Sequence, residues 1–169
     1  MTLTEIKNII EQLAVKICAP TYLLPTFGHS NDDARPHVEI DKNGQLYYVV
    51  VERGKECLRH SALDLDDLLY RVFEGITFSM ASKIEQKKRV PEQDTRRIFF
   101  VEQEKLLGEL NKEWQLRKRE DHRGILISYP FDDNAITRVD YYRRLVLDSN
   151  NVGNEWRLAC EKYPLPKHN

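Results

Sequence analysis

The stretch Leu63-Asp64-Leu65-Asp66-Asp67-Leu68-Leu69 continues through Val72, Phe73, Ile76, Met80, Ala81 and Ile84 to Lys87-Lys88-Arg89, and its reading decides the fold. The apolar residues recur at helical spacing, which predicts a long helix over Leu63 to Lys88 with one core-facing stripe. Asp64 is placed to cap its N-terminus. Asp66 and Asp67 set negative charge in the first turn, where the helix dipole favours it, and the basic run suits the opposite end. Gly75 inside this helix costs roughly 1 kcal/mol relative to Ala, so close approach of another backbone is expected there.

On the N-terminal side the pattern changes to that of strands. His37 to Asp41 alternates apolar and polar residues, Lys42-Asn43-Gly44 supplies a turn, and Gln45 to Glu52 is rich in tyrosine and valine. Arg53-Gly54 makes a second tight turn into a strand over about Lys55 to His60. The middle strand is apolar on both faces, so helices are expected to cover it on both sides. Ahead of the hairpins, Ala19 to Pro36 shows neither period and reads as an ordered loop held by Tyr22, Leu23, Leu24 and Phe27. Before that, Leu3, Ile6, Ile10, Leu13, Ala14 and Ile17 form a helical stripe to about Cys18, with Thr2 and Glu5 as a capping box.

On the C-terminal side everything is helical. Pro91 is expected to open a helix bearing Ile98, Phe99, Leu106, Leu107 and Leu110, and Asn111 to cap another through Trp114 and Arg117-Lys118-Arg119. A loop around Pro130 leads to a helix with Ile136, Val139, Tyr142 and Val146, then to a short one around Trp156 that ends at Pro164. The tail from Leu165 to Asn169 is expected to fray. The expected fold is therefore α+β: an N-terminal helix, a three-stranded antiparallel meander, a long central helix and a C-terminal helical half. One domain spans residues 1–169, since no repeat or low-complexity linker divides it.

Charged residues make up 31% of the chain and hydrophobic ones 41%, which fits a soluble globular protein. The net charge is −1. Nine acidic and five basic residues between His29 and Leu68, against twelve basic and nine acidic between Lys83 and Arg123, leave no basic footprint of the kind nucleic-acid binding requires. Cys18, Cys57 and Cys160 are scattered and odd in number, which points to reduced thiols and a cytoplasmic location. Neither an export signal nor an apolar run of membrane-spanning length is expected.

The seven glycines are too well separated for a phosphate-binding loop, and neither a His-Glu-x-x-His pair nor a Gly-x-Ser-x-Gly elbow occurs. His29, Asp32, Asp33 and His37 are the nearest approach to a metal-ligand set, the basis of an alternative reading as a metal-dependent enzyme. Loop Asp, Asn and Ser residues more simply cap turns, and no known ligand spacing is matched, so no metal or other cofactor is expected. Asp132 and Asp133 are read as caps of the following helix. The interleaved charges of Arg96-Arg97 and Arg117-Lys118-Arg119 read as solvated helix faces. Tyr141, with Arg138 and Arg144, lies off its helix's apolar stripe, and these residue types are common in binding hot spots.

Six ordered segments carry a family resemblance. They are Leu24-Pro25-Thr26-Phe27-Gly28-His29, Arg35-Pro36-His37-Val38-Glu39, Tyr47 to Gly54, Asp64 to Tyr70, Phe73 to Ala81, and Pro130-Phe131-Asp132-Asp133. Together they resemble family sixty-three of the immunity proteins of bacterial polymorphic-toxin systems. The resemblance implies a small cytoplasmic protein, encoded beside a secreted toxin, that binds the cognate toxin domain and blocks it without catalysis of its own. Neither nucleic acid nor membrane is an implied partner. The residues expected to contact the toxin are His29, Asp32, Asp33, Arg35, Asp132, Asp133, Arg138 and Tyr141.

Overall fold

Thr2 starts the first helix as its spacing predicts. Its hydroxyl accepts the Glu5 N–H while the Glu5 carboxylate accepts the Thr2 N–H, and α1 runs over Leu3–Lys16. The computed structural model describes residues 1–148 and 153–167. Ile6, Ile10 and Ala14 bury the inner stripe of α1.

The segment read as a loop holds more order than its composition suggests. A 3-10 turn at Thr21–Leu23 leads to a two-residue strand, β1 (Thr26–Phe27), paired in parallel with His37 and Val38. The next strand, β2 (Asp33–Ile40), begins four residues earlier than the alternation predicts. Its start is irregular: Asp32 and Ala34 have positive φ, and the register shifts between Asp33 and Pro36. Polar residues join the sheet here because a bulge, rather than an alternating pattern, carries them into register. The sheet is thus four-stranded and mixed, in the order β1-β2-β3-β4, rather than a three-stranded antiparallel meander.

The hairpins follow their turn chemistry. Between β2 and β3 (Leu46–Glu52) the Asp41 carboxylate accepts the N–H groups of Asn43 and Gln45, and Gly44 adopts the left-handed conformation. Between β3 and β4 (Lys55–Ser61) both Arg53 and Gly54 have positive φ, as a two-residue hairpin turn of right-handed twist requires.

Residues Val38, Ile40, Leu46, Tyr48 and Val50 form one sheet face, packed against α1 and the long helix α2 (Leu65–Lys88). Among the described residues no helix covers the opposite face in the way the apolar middle strand suggests. Its central residue Val49 is fully buried, flanked across the sheet by His37 and Arg59. Arg59 stretches over the Tyr47 ring and pairs with Glu39 and Glu56, so long side chains of the sheet itself close this face.

After α2 come α3 (Arg96–Leu110), α4 (Lys112–Ser128), α5 (Ala135–Asp148) and α6 (Glu155–Lys162). Pro91 does not open α3, which begins five residues later. Asp94 is the effective cap, its carboxylate accepting the Arg96 N–H at 2.9 Å. Asn111 caps α4 as expected, accepting the Glu113 N–H. Leu106, Leu107 and Trp114 complete the core on α2. The tail expected to fray lies in part outside the described residues.

Candidate functional site

The first turn of α2 does more than complement a dipole. Asp64 accepts the Asp67 N–H as the N-cap, which leaves the neighbouring carboxylates free for other elements. Asp66 accepts the indole N–H of Trp114 at 3.0 Å, and Asp67 binds His60, the Leu63 N–H and Arg117. One turn therefore ties β4 and α4 to α2. Burial pushes the Asp67 pKa up, but His60, the Leu63 amide and Arg117 outweigh it and hold the carboxyl below its ordinary value.

Further along, Arg71, Glu74 and Phe78 continue the α2 face turned toward α4. The α4 face turned back is Trp114, Lys118 and His122, spaced four apart, and all three are buried. Lys118 thus departs from the expectation of a solvated helix face, and His122, one turn on, is buried beside it. They are admitted because partners are at hand: Lys118 binds Glu74 on α2 and Asp121 one turn on along its own helix, and His122 lies between Glu104 and Gln103 of α3. Burial works against the Lys118 charge, yet the Glu74 and Asp121 carboxylates raise its pKa overall. For His122 burial prevails over Glu104 and lowers the pKa. Its ring stacks on Phe100 at 3.8 Å between centroids.

Above this polar floor lies an open groove of about 400 Å³. Its walls are Leu58 of β4, Tyr48, Arg71, Phe78 on α2, Phe99 on α3 and Ile125 on α4. Phe78 and Phe99 meet edge to face at 4.9 Å. Phe78 is nevertheless 55% exposed, Leu58 44% and Ile125 42%, so the apolar wall is open to solvent. Arg71 gives one guanidinium N–H to Glu74 at 2.6 Å while its Nε is buried without an acceptor. A second groove, of about 410 Å³, lies between the sheet and α2 and is lined by Tyr22, Asp33, Arg35 and Ser79. Both grooves share Tyr48 and Gly75. What approaches Gly75 is the Tyr48 hydroxyl, 3.4 Å from where a Cβ would stand, and not another backbone. Burial drives the Tyr48 pKa up to about 12, so its hydroxyl stays neutral.

The residues selected from sequence fall into two groups on different elements. His29 faces the Phe27 carbonyl, Asp32 accepts the Gly54 N–H at 2.6 Å, and Asp33 accepts the Arg35 N–H. Arg35 donates to the Leu24 carbonyl at 2.8 Å. The Asp32 contact holds the bulged start of β2 against the β3–β4 turn, Arg35 ties β2 to the segment before β1, and Asp33 and Arg35 also line the second groove. In the other group, Asp133 grips Arg97 through both oxygens and accepts the Asp94 N–H, while Asp94 accepts the Asp132 N–H. The Asp133 carboxylate thus serves α3, not the following helix as expected. Arg138, 3% exposed, binds Asp132 and the carbonyls of Tyr163 and Pro164, and Tyr141 packs on Tyr163 and Lys162. Among the described residues no three His, Cys, Asp or Glu side chains converge as a metal ion requires. No helix among them is long and apolar enough to cross a membrane.

The fold and its grooves define a small α+β protein with an open apolar wall beside an edge strand. Residues 42–124, just under half of the chain, match the family model described as immunity protein 63. That segment runs from the β2–β3 turn into α4, and it supplies every residue named here for the first groove except Ile125. The match is narrower than the Leu24 to Asp133 stretch that carries the resemblance and lies wholly within it. No curated protein and no solved structure matches the chain.

Proposed function

We propose that this chain is a cytoplasmic, single-domain immunity protein that binds a cognate toxin domain and blocks its activity, acting as a binding partner and not as an enzyme. The observation that carries the reading is the match of residues 42–124 to the immunity protein 63 family. The groove between β4, α2, α3 and α4 is the proposed contact surface, because the matched segment builds it and leaves its apolar wall uncovered. Binding hot spots are few, large and well packed, and Phe78, Phe99 and Tyr48 are side chains of that kind. Asp33 and Arg35, beside the adjoining groove, extend the contact as a polar rim, where charges set encounter rate and partner choice more than affinity.

The test is co-expression with the toxin domain encoded next to this chain. The expected outcome is survival of the producing cells and co-purification of the two proteins. Continued growth arrest with no complex would refute the proposal.

A further inference from the structure

Strand β4 ends the sheet, and its pairing shows which of its backbone groups are free. The Ala62 N–H donates to the Leu46 carbonyl at 3.0 Å, so these residues form a hydrogen-bonded pair. In an antiparallel ladder bonded and unbonded pairs alternate. The register then makes Tyr48 with His60 and Val50 with Leu58 bonded pairs, and Val49 with Arg59 and Tyr47 with Ser61 unbonded ones. The backbone N–H and C=O groups of Arg59 and Ser61 consequently point away from β3. Among the described residues no backbone hydrogen bond reaches them from that side, and β4 is exposed along nearly all its length. Leu58, between these positions and the turn, is itself a wall of the groove. A strand laid along the free edge has its groove-facing side chains beside Leu58, Phe78 and Ile125.

We propose that β4 takes up an extended segment of the toxin as a fifth strand, with a large apolar side chain of that segment entering the groove. Main-chain hydrogen bonds to Arg59 and Ser61 then supply general affinity, and the groove supplies selectivity. A second copy of this chain suits the edge less well. Two-fold pairing about Arg59 sets two Arg59 side chains opposite each other, and like charges in that position are destabilising. The inference rests on the proposed function, which supplies the partner.

Binding of the neighbouring toxin domain is measured for the wild-type chain, Ser61→Pro and Ser61→Ala. Proline removes only an outward N–H and is tolerated on an edge strand, whereas alanine keeps that N–H and removes the hydroxyl. The expected result is at least tenfold weaker binding for Ser61→Pro and wild-type binding for Ser61→Ala. Hydrogen exchange on the wild-type chain gives a readout that does not depend on the variant folding: the Arg59 and Ser61 amides exchange fast when free and are protected in the complex. Equal binding by the proline variant, or wild-type binding without protection of those amides, overturns the β4 assignment and leaves the proposed function standing. A free chain that dimerises through β4 also overturns it. Failure of the wild-type chain to bind the toxin domain overturns the proposed function and this inference together.

Discussion

Trp114 shows how one side chain on α4 completes a core begun on α2. Its ring stacks on Phe73 at 6.0 Å, meets Tyr70 edge-on at 6.3 Å, and gives its N–H to Asp66. Removing so large a buried aromatic typically costs about 3–5 kcal/mol. Trp114→Ala is therefore expected to lower unfolding stability by that amount, read from denaturant titration. At Asp94, burial pushes the pKa up, but the Arg96 guanidinium and the N–H groups of Asp132 and Arg96 outweigh it and hold the carboxyl at about 2. The folded value lies below the ordinary 3.8, so the unfolded chain binds the proton more readily. Its contribution, about 2 kcal/mol at roughly 1.4 kcal/mol per pKa unit, is present above pH 3.8 and lost as pH falls toward 2. Asp94→Asn is expected to flatten the stability profile across that window, checked by thermal melts at successive pH values. The Asp64 cap was legible in sequence, whereas the Asp94 cap and the burial of Lys118 and His122 were not. Only the facing positions of Glu74, Glu104 and Gln103 on α2 and α3 make those sites tolerable, and a one-dimensional charge pattern does not contain them.

The elements that could be read were those whose signals are local. The Thr2 capping box, the Asn111 cap, the two hairpin turns and the stripe of α2 each depend on residues a few positions apart, and each appears where its chemistry puts it. Strand β1 was invisible because two residues carry no period, and its pairing partner lies eleven residues away. The early start of β2 depends on a bulge with positive φ at Asp32 and Ala34, which no alternation signals. In the helical hairpin, α5 and α6 are joined by Arg138, which donates to the Tyr163 and Pro164 carbonyls, and by the ring contacts of Tyr141 with Tyr163 and Tyr142 with Trp156. Arg138→Ala is expected to speed amide exchange throughout α5 and α6 by at least tenfold while leaving the amides of α2 and α4 unchanged. Equal acceleration in all four helices would show that the hairpin unfolds with the rest.

At the scale of the whole molecule, sheet and helices meet along α2, a helix roughly 36 Å long at 1.5 Å per residue. One side of α2 closes the core with α1, the sheet and Trp114. The other carries Arg71, Glu74 and Phe78 to the groove. The candidate groove was little legible in sequence: of its lining only Tyr48, Glu74, Gly75 and Phe78 fall within the family segments, none of the residues expected to contact the toxin lines it, and it exists because β4, α2, α3 and α4 are brought together from across the chain. The affinity of the neighbouring toxin domain for Phe78→Glu, measured beside the wild-type chain, tests the central claim most directly. Phe78 is more than half exposed, so the fold is expected to survive and the melting temperature to stay close to wild type. At least a hundredfold loss of affinity and loss of protection in producing cells are expected; wild-type affinity in a folded Phe78→Glu chain would rule the groove out as the contact surface.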